Sequence, residues 1–241
     1  DASNVDQATL DAMVDTAIKA GVNYFDTAYP YHGGMSEIVL GRSLARYPRD
    51  SYFFATKYPG HQIADTYDPA AIFEEQLTKC GTEYFDFYLL HNIYEASIEV
   101  YLDEQWGIAD YFVEQKKNGR IRHLGFSCHG RPETLKRFLD YGARKYAELE
   151  QRDPETAALF AGANIMEFCQ IQLNYLDWTL QDAAAKTAML ESMNIPIVVM
   201  EPLRGGKLAH LNDAQMQQLN VSALDGANSS ARSAVEWSFR W

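Results

Sequence analysis

Long apolar runs are missing from this chain of 241 residues. None approaches the ~20 residues that a membrane-spanning helix needs, so no span is expected. No basic stretch followed by an apolar one opens the sequence, and nothing there reads as a signal peptide. Basic residues are in deficit: 21 Lys and Arg stand against 33 Asp and Glu, for a net charge of −12. That balance disfavours nucleic acid or an anionic membrane as a partner, though a local basic site for an anionic cofactor remains compatible with it. Cysteine is scarce. Cys80, Cys128 and Cys169 show neither a Cys-x-x-Cys nor a zinc-knuckle spacing, and an odd number does not make a disulfide framework. A reducing, cytoplasmic compartment follows from that usage. His-x-His and His-Glu-x-x-His are absent too. A metal-dependent barrel hydrolase drawing on His91 and His129 is therefore the weaker alternative, since zinc sites need three or four close ligands. No internal repeat and no low-complexity linker divides the chain.

What is present is a globular chain, 47% hydrophobic and 13% aromatic. At about 150 residues per domain, its length holds one large domain or two small ones, ample for a buried core. Apolar residues Leu10, Met13, Val14, Ala17 and Ile18 recur at helical spacing, and Gly21 stops that helix. A short strand follows from Val22 to Asp26, then a helix from Glu37 to Tyr47 and a strand from Tyr52 to Lys57. Asp68-Pro69 reads as an N-cap followed by Pro at the first helical position. Further strands are expected at Phe85 to His91, Ile121 to Ser127, Phe168 to Leu173 and Ile195 to Met200. Helices are expected from about Asp103 to Asn118, from Pro132, from Leu180 to Met193 and from about Ser230. Residues 141–162 read as an insertion or an extended helix, and a long polar segment surrounds Gly205-Gly206. Six near-continuously apolar strands alternating with helices indicate a parallel sheet buried on both faces. The fold class is α/β, either an open doubly wound sheet or a (β/α)8 TIM barrel. A barrel needs eight strands. The chain opens at Asp1 without a Met and stops at Trp241 inside a helical pattern. The expectation is thus a single barrel domain over residues 1–241, truncated at both ends and lacking its first and last strands.

Reactive groups stand at the ends of these strands: Asp26, Lys57, His91, Ser127 and Met200-Glu201, with Gln170 early in its own strand. Any one of them alone reads as a solvated cap or a hydrogen-bonded structural residue. Three successive strands ending in Asp, Lys and His are a different matter, because strand carboxyl ends converge on one mouth in such a barrel. The loop after Asp26 adds Tyr29 and Tyr31. A tyrosine beside a lysine can serve as an acid, since a neighbouring cation lowers the phenol pKa. A carboxylate then aims the lysine, and a neutral histidine polarises a carbonyl. Tyr29, Tyr58, Tyr94 and Trp106 are candidates for an aromatic wall around the substrate.

Asp26-Thr27-Ala28 with Tyr31 five residues after the Asp, Thr56-Lys57 and Leu90-His91-Asn92 resemble the catalytic tetrad of the aldo/keto reductases. The likeness continues in Leu124 to Ser127, Gln170 to Tyr175 and Glu201 to Leu208, in the family's order. The resemblance implies a (β/α)8 barrel, a nicotinamide cofactor, usually NADPH with NADH as the alternative, and a small-molecule carbonyl substrate. It implies Tyr31 as general acid, Lys57 lowering its pKa, Asp26 anchoring Lys57 and His91 orienting the carbonyl. Ser127 and Gln170 would bind the carboxamide. Pro202, Leu203 and Gly205 would underlie the pyrophosphate, where glycine-rich backbone offers N–H groups. Cys128 and His129 follow Ser127 where the family commonly has Asn, and Met200 stands where an aromatic often stacks on the nicotinamide. Met still packs against a ring face. The wording from Phe126 to Gly130 is similar to a branch that sometimes carries a C-terminal ferredoxin-like [4Fe–4S] extension. Such a cluster needs grouped cysteines, so it would lie beyond this chain. A second reading is a reductase-like nucleotide-binding or regulatory protein without turnover. The oligomeric state is not legible.

Overall fold

The computed structural model describes residues 5–222 and 232–241. Its centre is a sheet of six strands: β1 (Tyr24–Asp26), β2 (Phe53–Tyr58), β3 (Phe85–Ile93), β4 (Ile121–Cys128), β5 (Cys169–Gln172) and β6 (Ile197–Met200). Their order in the sheet is the order in the chain, and all five pairings are parallel. Parallel neighbours need crossovers, and helices supply them on the outer face. These begin with α1 (Gln7–Lys19), α2 (Met35–Leu44), α3 (Pro69–Cys80), α4 (Ile98–Leu102) and α5 (Ile108–Lys117). The 21-residue α6 (Pro132–Arg152) follows, then α7 (Pro154–Ala157), α8 (Asp177–Leu180), α9 (Ala183–Ser192), α10 (Asp213–Ser222) and α11 (Ala234–Arg240).

Two rows of side chains explain the shape. Alternate strand residues such as Phe54, Tyr88, Leu90, Phe126, Cys128 and Ile171 point outward and form the main core against the helices. The opposite row packs inward: Ala55, Leu89 and Phe168 with Tyr24, Phe87 and Val198. Residues from four strands, with Phe168 just before β5, meet there only because the sheet curls, and the curl lets Gln170 on β5 reach Asp26 on β1 at 3.3 Å. Side-chain period 2 carries the inward row on to Asp26, Lys57, His91, Ser127 and Met200 near the strands' C-terminal ends, and to Gln170 early in β5 beside Ser127.

Local signals explain most boundaries. Asp68 caps α3 by accepting from Ala71 N–H, and Gly81 closes it in the left-handed region. The expected helix over Asp103–Asn118 is broken: Gly107, at φ 58°, separates a 3-10 turn from α5. Residues 141–152 extend α6 rather than form an insertion. The polar stretch after Gly206 contains α10, a helix not anticipated from its weak periodicity. The expected start of the last helix near Ser230 lies outside the described residues, and α11 is entered through a Ser233–Glu236 capping box. All three cysteines are buried and unpaired. Burial pushes the Cys128 thiol up to about 11 and raises the other two as well.

Two glycines set close approaches. A Cβ on Gly125 would meet the Phe168 ring at 2.5 Å, so the inner row closes over β4 only with glycine there. A Cβ on Gly41 of α2 would meet the Cys80 backbone of α3 at 2.4 Å. Alanine gains about 1 kcal/mol of helix propensity over glycine, but overpacking costs about 1–3 kcal/mol and a backbone cannot yield as a side chain does. Gly41→Ala is therefore expected to destabilise by about 1–2 kcal/mol, a fall of about 2–8 °C in Tm on thermal melting.

Candidate active site

Lys57 is the innermost charge of the inward row, with 1% of its surface exposed. Its Nζ donates to Asp26 Oδ1 and, at 2.8 Å, to the Thr27 carbonyl. Burial pulls the Lys57 pKa down, while the Asp26 carboxylate pulls it back up. The second Asp26 oxygen accepts from Gln170 Nε2 and from the Tyr24 hydroxyl at 3.4 Å. The strand ends thus share one charged cluster. Beyond β1 the loop continues to follow β2: Thr27 N–H donates to Ala55 O and Tyr29 N–H to Lys57 O. That run delivers Tyr31 to the mouth, where a 3-10 turn over Tyr31–Gly34 reverses the chain through left-handed His32, Gly33 and Gly34.

Tyr31 stands edge-on to His91, with 5.5 Å between ring centroids, and Lys57 Nζ lies 5.0 Å from the Tyr31 ring centre. Asp26, Tyr31, Lys57 and His91 are thus gathered at one mouth, and the Tyr31 pKa is raised. Burial first, then the Asp26 and Glu201 charges, push Tyr31 up to about 12. Lys57 spends its hydrogen bonds on Asp26 and Thr27. Among the described residues none joins it to the Tyr31 hydroxyl. His91 is driven down to about 2 by burial, then by Lys57, His61 and His129, so it is neutral near pH 7.

Ser127 and Gln170 are register partners on β4 and β5, and both are buried. Ser127 Oγ accepts from Asn92 N–H at 2.8 Å, across a register irregularity that follows Leu90. Cys128 faces the helices in the main core, so it does not replace the expected Asn at the mouth. His129, exposed, follows it. Met200, Pro202 and Leu203 are half-buried, and Gly205 is exposed. Among the described residues no hydrogen bond joins these four to the tetrad. Their loop is held from below: Asn174 Nδ2 donates to Glu201 O at 3.0 Å and to Asp177, and Arg204 Nε lies 3.5 Å from Asp177. The N–H groups of Gly205 and Gly206 meet no backbone acceptor among the described residues, as an anion cradle requires. Three of the four expected wall residues are engaged elsewhere: Tyr58 is buried against Phe112 and Tyr101, Trp106 packs on Tyr67, and Tyr29 bonds Glu75. A cavity of about 740 Å³ opens between Leu173, Trp178, Val199, Pro202 and Trp241, and no tetrad residue lines it. Among the described residues no group of three or more His, Cys, Asp or Glu side chains is placed to hold a metal ion.

Sequence reasoning missed the residues that brace the site from outside. Glu37 Oε1 accepts from Thr56 Oγ1 and Gln76 Nε2, each at 2.7 Å, and Gln76 also donates to the Lys57 carbonyl at 3.1 Å. The only available signal was a glutamate on the buried face of a helix. His61 was missed as well. It lies in the loop after β2 and packs against His91 with 4.4 Å between centroids.

The sequence profile of the aldo/keto reductase family matches residues 1–238. An uncharacterized oxidoreductase of Bacillus subtilis is 32% identical over 138 residues, covering 53% of this chain and 42% of that protein. The NADH-specific methylglyoxal reductase of Escherichia coli is 26% identical over 153 residues, covering 56% of this chain and 45% of that protein. The matched part is thus less than half of either relative's length. A crystal structure of an aldo/keto reductase from Brucella melitensis superposes with a TM-score of 0.64 at 24% identity, covering 99% of this chain and 75% of that one. It shows a shared fold.

Asp26→Ala leaves the Lys57 ammonium buried without its carboxylate. Stranding a buried charge costs about 3–5 kcal/mol. The expected result is a loss of about 3 kcal/mol in urea denaturation, and a loss below about 1 kcal/mol contradicts the pairing.

Proposed function

The chain belongs to the aldo/keto reductase family, and from that premise we propose that it reduces an aldehyde or ketone to an alcohol. Asp26, Tyr31, Lys57 and His91 gathered at one mouth are the observation that carries this reading. The six strands are taken as six of the eight in a single (β/α)8 barrel domain. NADPH is the proposed cofactor, with NADH as the alternative, since one relative is named for NADH. When bound, the reduced nicotinamide supplies the hydride. Ser127 suits its carboxamide, because Oγ accepts from Asn92 and keeps its own hydrogen to donate. Gln170 beside it offers an amide of the same kind. Met200 presents a polarisable side chain to a ring face. Pro202, Leu203 and Gly205 shape the loop for the pyrophosphate, with the free N–H groups described above.

The chain's own groups then divide the work. Neutral His91 donates an N–H to the carbonyl oxygen and polarises it. The Tyr31 hydroxyl gives up its proton to the alkoxide that forms. A pKa of about 12 does not prevent this, since an alkoxide holds its proton nearly as tightly as hydroxide, with a pKa of about 16. The transfer is still downhill. Lys57, fixed near the ring, offsets the negative charge left on the phenolate, and Asp26 keeps that cation in place. Methylglyoxal and 4-nitrobenzaldehyde are suitable first substrates, the former because a relative's name carries it.

Tyr31→Phe is expected to bind NADPH as the unaltered protein does, by tryptophan fluorescence, while turnover falls about 10²- to 10⁴-fold. Wild-type rates in that variant assign the acid elsewhere. Saturable nucleotide binding by the unaltered protein without carbonyl-dependent oxidation favours the alternative, a nucleotide-binding protein without turnover. Reduction needs the phenol and alcohol oxidation needs the phenolate. With a raised Tyr31 pKa, reduction should be flat through neutral pH, whereas oxidation should climb steadily across the alkaline range in initial-rate measurements.

A further inference from the structure

His91 is neutral and must present an N–H to a substrate oxygen if it is to polarise a carbonyl. A neutral imidazole carries one N–H, and the hydrogen bond made by the other nitrogen decides which nitrogen holds it. His91 Nδ1 is sealed from solvent and has no hydrogen-bonding partner among the described residues, and the same is true of His61 Nδ1. Only Nε2 of His91 is therefore left to meet a substrate.

The two rings are brought together by one buried side chain. The Tyr101 hydroxyl donates to His91 O at 2.6 Å and contacts Tyr58 O at 3.3 Å. A Cβ on Gly60 would meet the Tyr101 ring at 2.7 Å, so the loop carrying His61 passes directly over that ring. His61 is thereby set against His91, with centroids 4.4 Å apart and planes at 68°. Centroids at that separation are close enough for a nitrogen of one ring to face a nitrogen of the other at the ~3 Å of a hydrogen bond. The other charged or titratable groups around the pair are Lys57, Tyr31 and His129. Lys57 is engaged with Asp26 and Thr27, and Tyr31 meets His91 edge-on.

We infer that His61 is a positioning residue. Its ring N–H donates to Nδ1 of His91, holds that imidazole in the Nε2–H tautomer and so aims its one N–H at the substrate carbonyl. The inference rests on the carbonyl-reductase reading for its consequence, but not for its test. His61→Phe keeps a ring in place and removes the donor. His61→Asn returns an N–H at nearly the position of Nδ1. In ¹H–¹⁵N imidazole spectra of the full chain near pH 7, assigned with His91→Gln, His91 is expected as the Nε2–H tautomer in the unaltered protein and in His61→Asn. In His61→Phe it should become a mixture. With 4-nitrobenzaldehyde and NADPH, kcat should fall about tenfold in His61→Phe and recover to within about threefold in His61→Asn, with NADPH binding unchanged. A single Nε2–H tautomer persisting in His61→Phe overturns the inference, as does an Asn variant no better than the Phe variant. If the unaltered protein turns over no carbonyl, the reductase reading falls, and the spectra still decide the role of His61.

Discussion

A lysine ammonium enclosed among strand side chains is costly to desolvate, and the site is arranged around offsetting that cost. Lys57 keeps its charge through Asp26, which lies across the β1–β2 register, and through the Thr27 carbonyl just beyond it. The register therefore has a chemical duty. Asp26 pairs with Ala55, and the loop beyond stays bonded along β2 as far as Tyr29. Tyr31 is placed two residues after that seam. A slip of one residue would turn Lys57 into the helix-facing layer and carry Asp26 out of reach. Ion pair, strand register and tyrosine position are one constraint expressed three times.

The outer layer supports the same point. Glu37 is wholly buried, and burial raises its pKa, yet it collects hydrogen bonds from Thr56 and Gln76. Gln76 links onward to the Lys57 carbonyl and to the Tyr88 hydroxyl. Side chains of α2, α3, β2 and β3 are thus tied behind the lysine. The close contact of Gly41 with the Cys80 backbone fixes how near α2 and α3 stand, and so where Glu37 and Gln76 meet. The hydrogen bonds gather on Glu37 Oε1, while Oε2 has none among the described residues and meets only the Lys79 ammonium at 4.0 Å.

Much of this was legible in the sequence, for a reason that can be stated. A strand displays its inward row every second residue, so a polar residue closing an apolar run marks the mouth. Asp26, Lys57, His91 and Ser127 could be found that way, whereas Gln170, early in its strand, stood out only through the family resemblance. The strands were found because a parallel sheet covered on both faces is written in nearly unbroken apolar runs. Helix interruptions were harder, because the αL turn at Gly107 costs one residue and hardly disturbs the periodicity. His61 and Glu37 escaped notice because neither ends a strand. Their places depend on a loop laid over Tyr101 and on the packing of two helices. The high pKa of Tyr31 was illegible for a different reason. Burial raises it first and the Asp26 and Glu201 charges raise it further, and how deeply a loop tyrosine is buried is set by the folded mouth and not by its spacing from Asp26.

The three buried thiols have a practical consequence. None forms a disulfide, each is sealed in the packed interior, and burial holds each in the unreactive protonated form. A thiol in that state is modified only after the surrounding structure opens. Cys80 ends α3, Cys128 ends β4 and Cys169 begins β5. A disulfide-exchange dye added to the native protein would therefore work as a clock with three hands. Each records how often its own part of the sheet and helix layer comes apart.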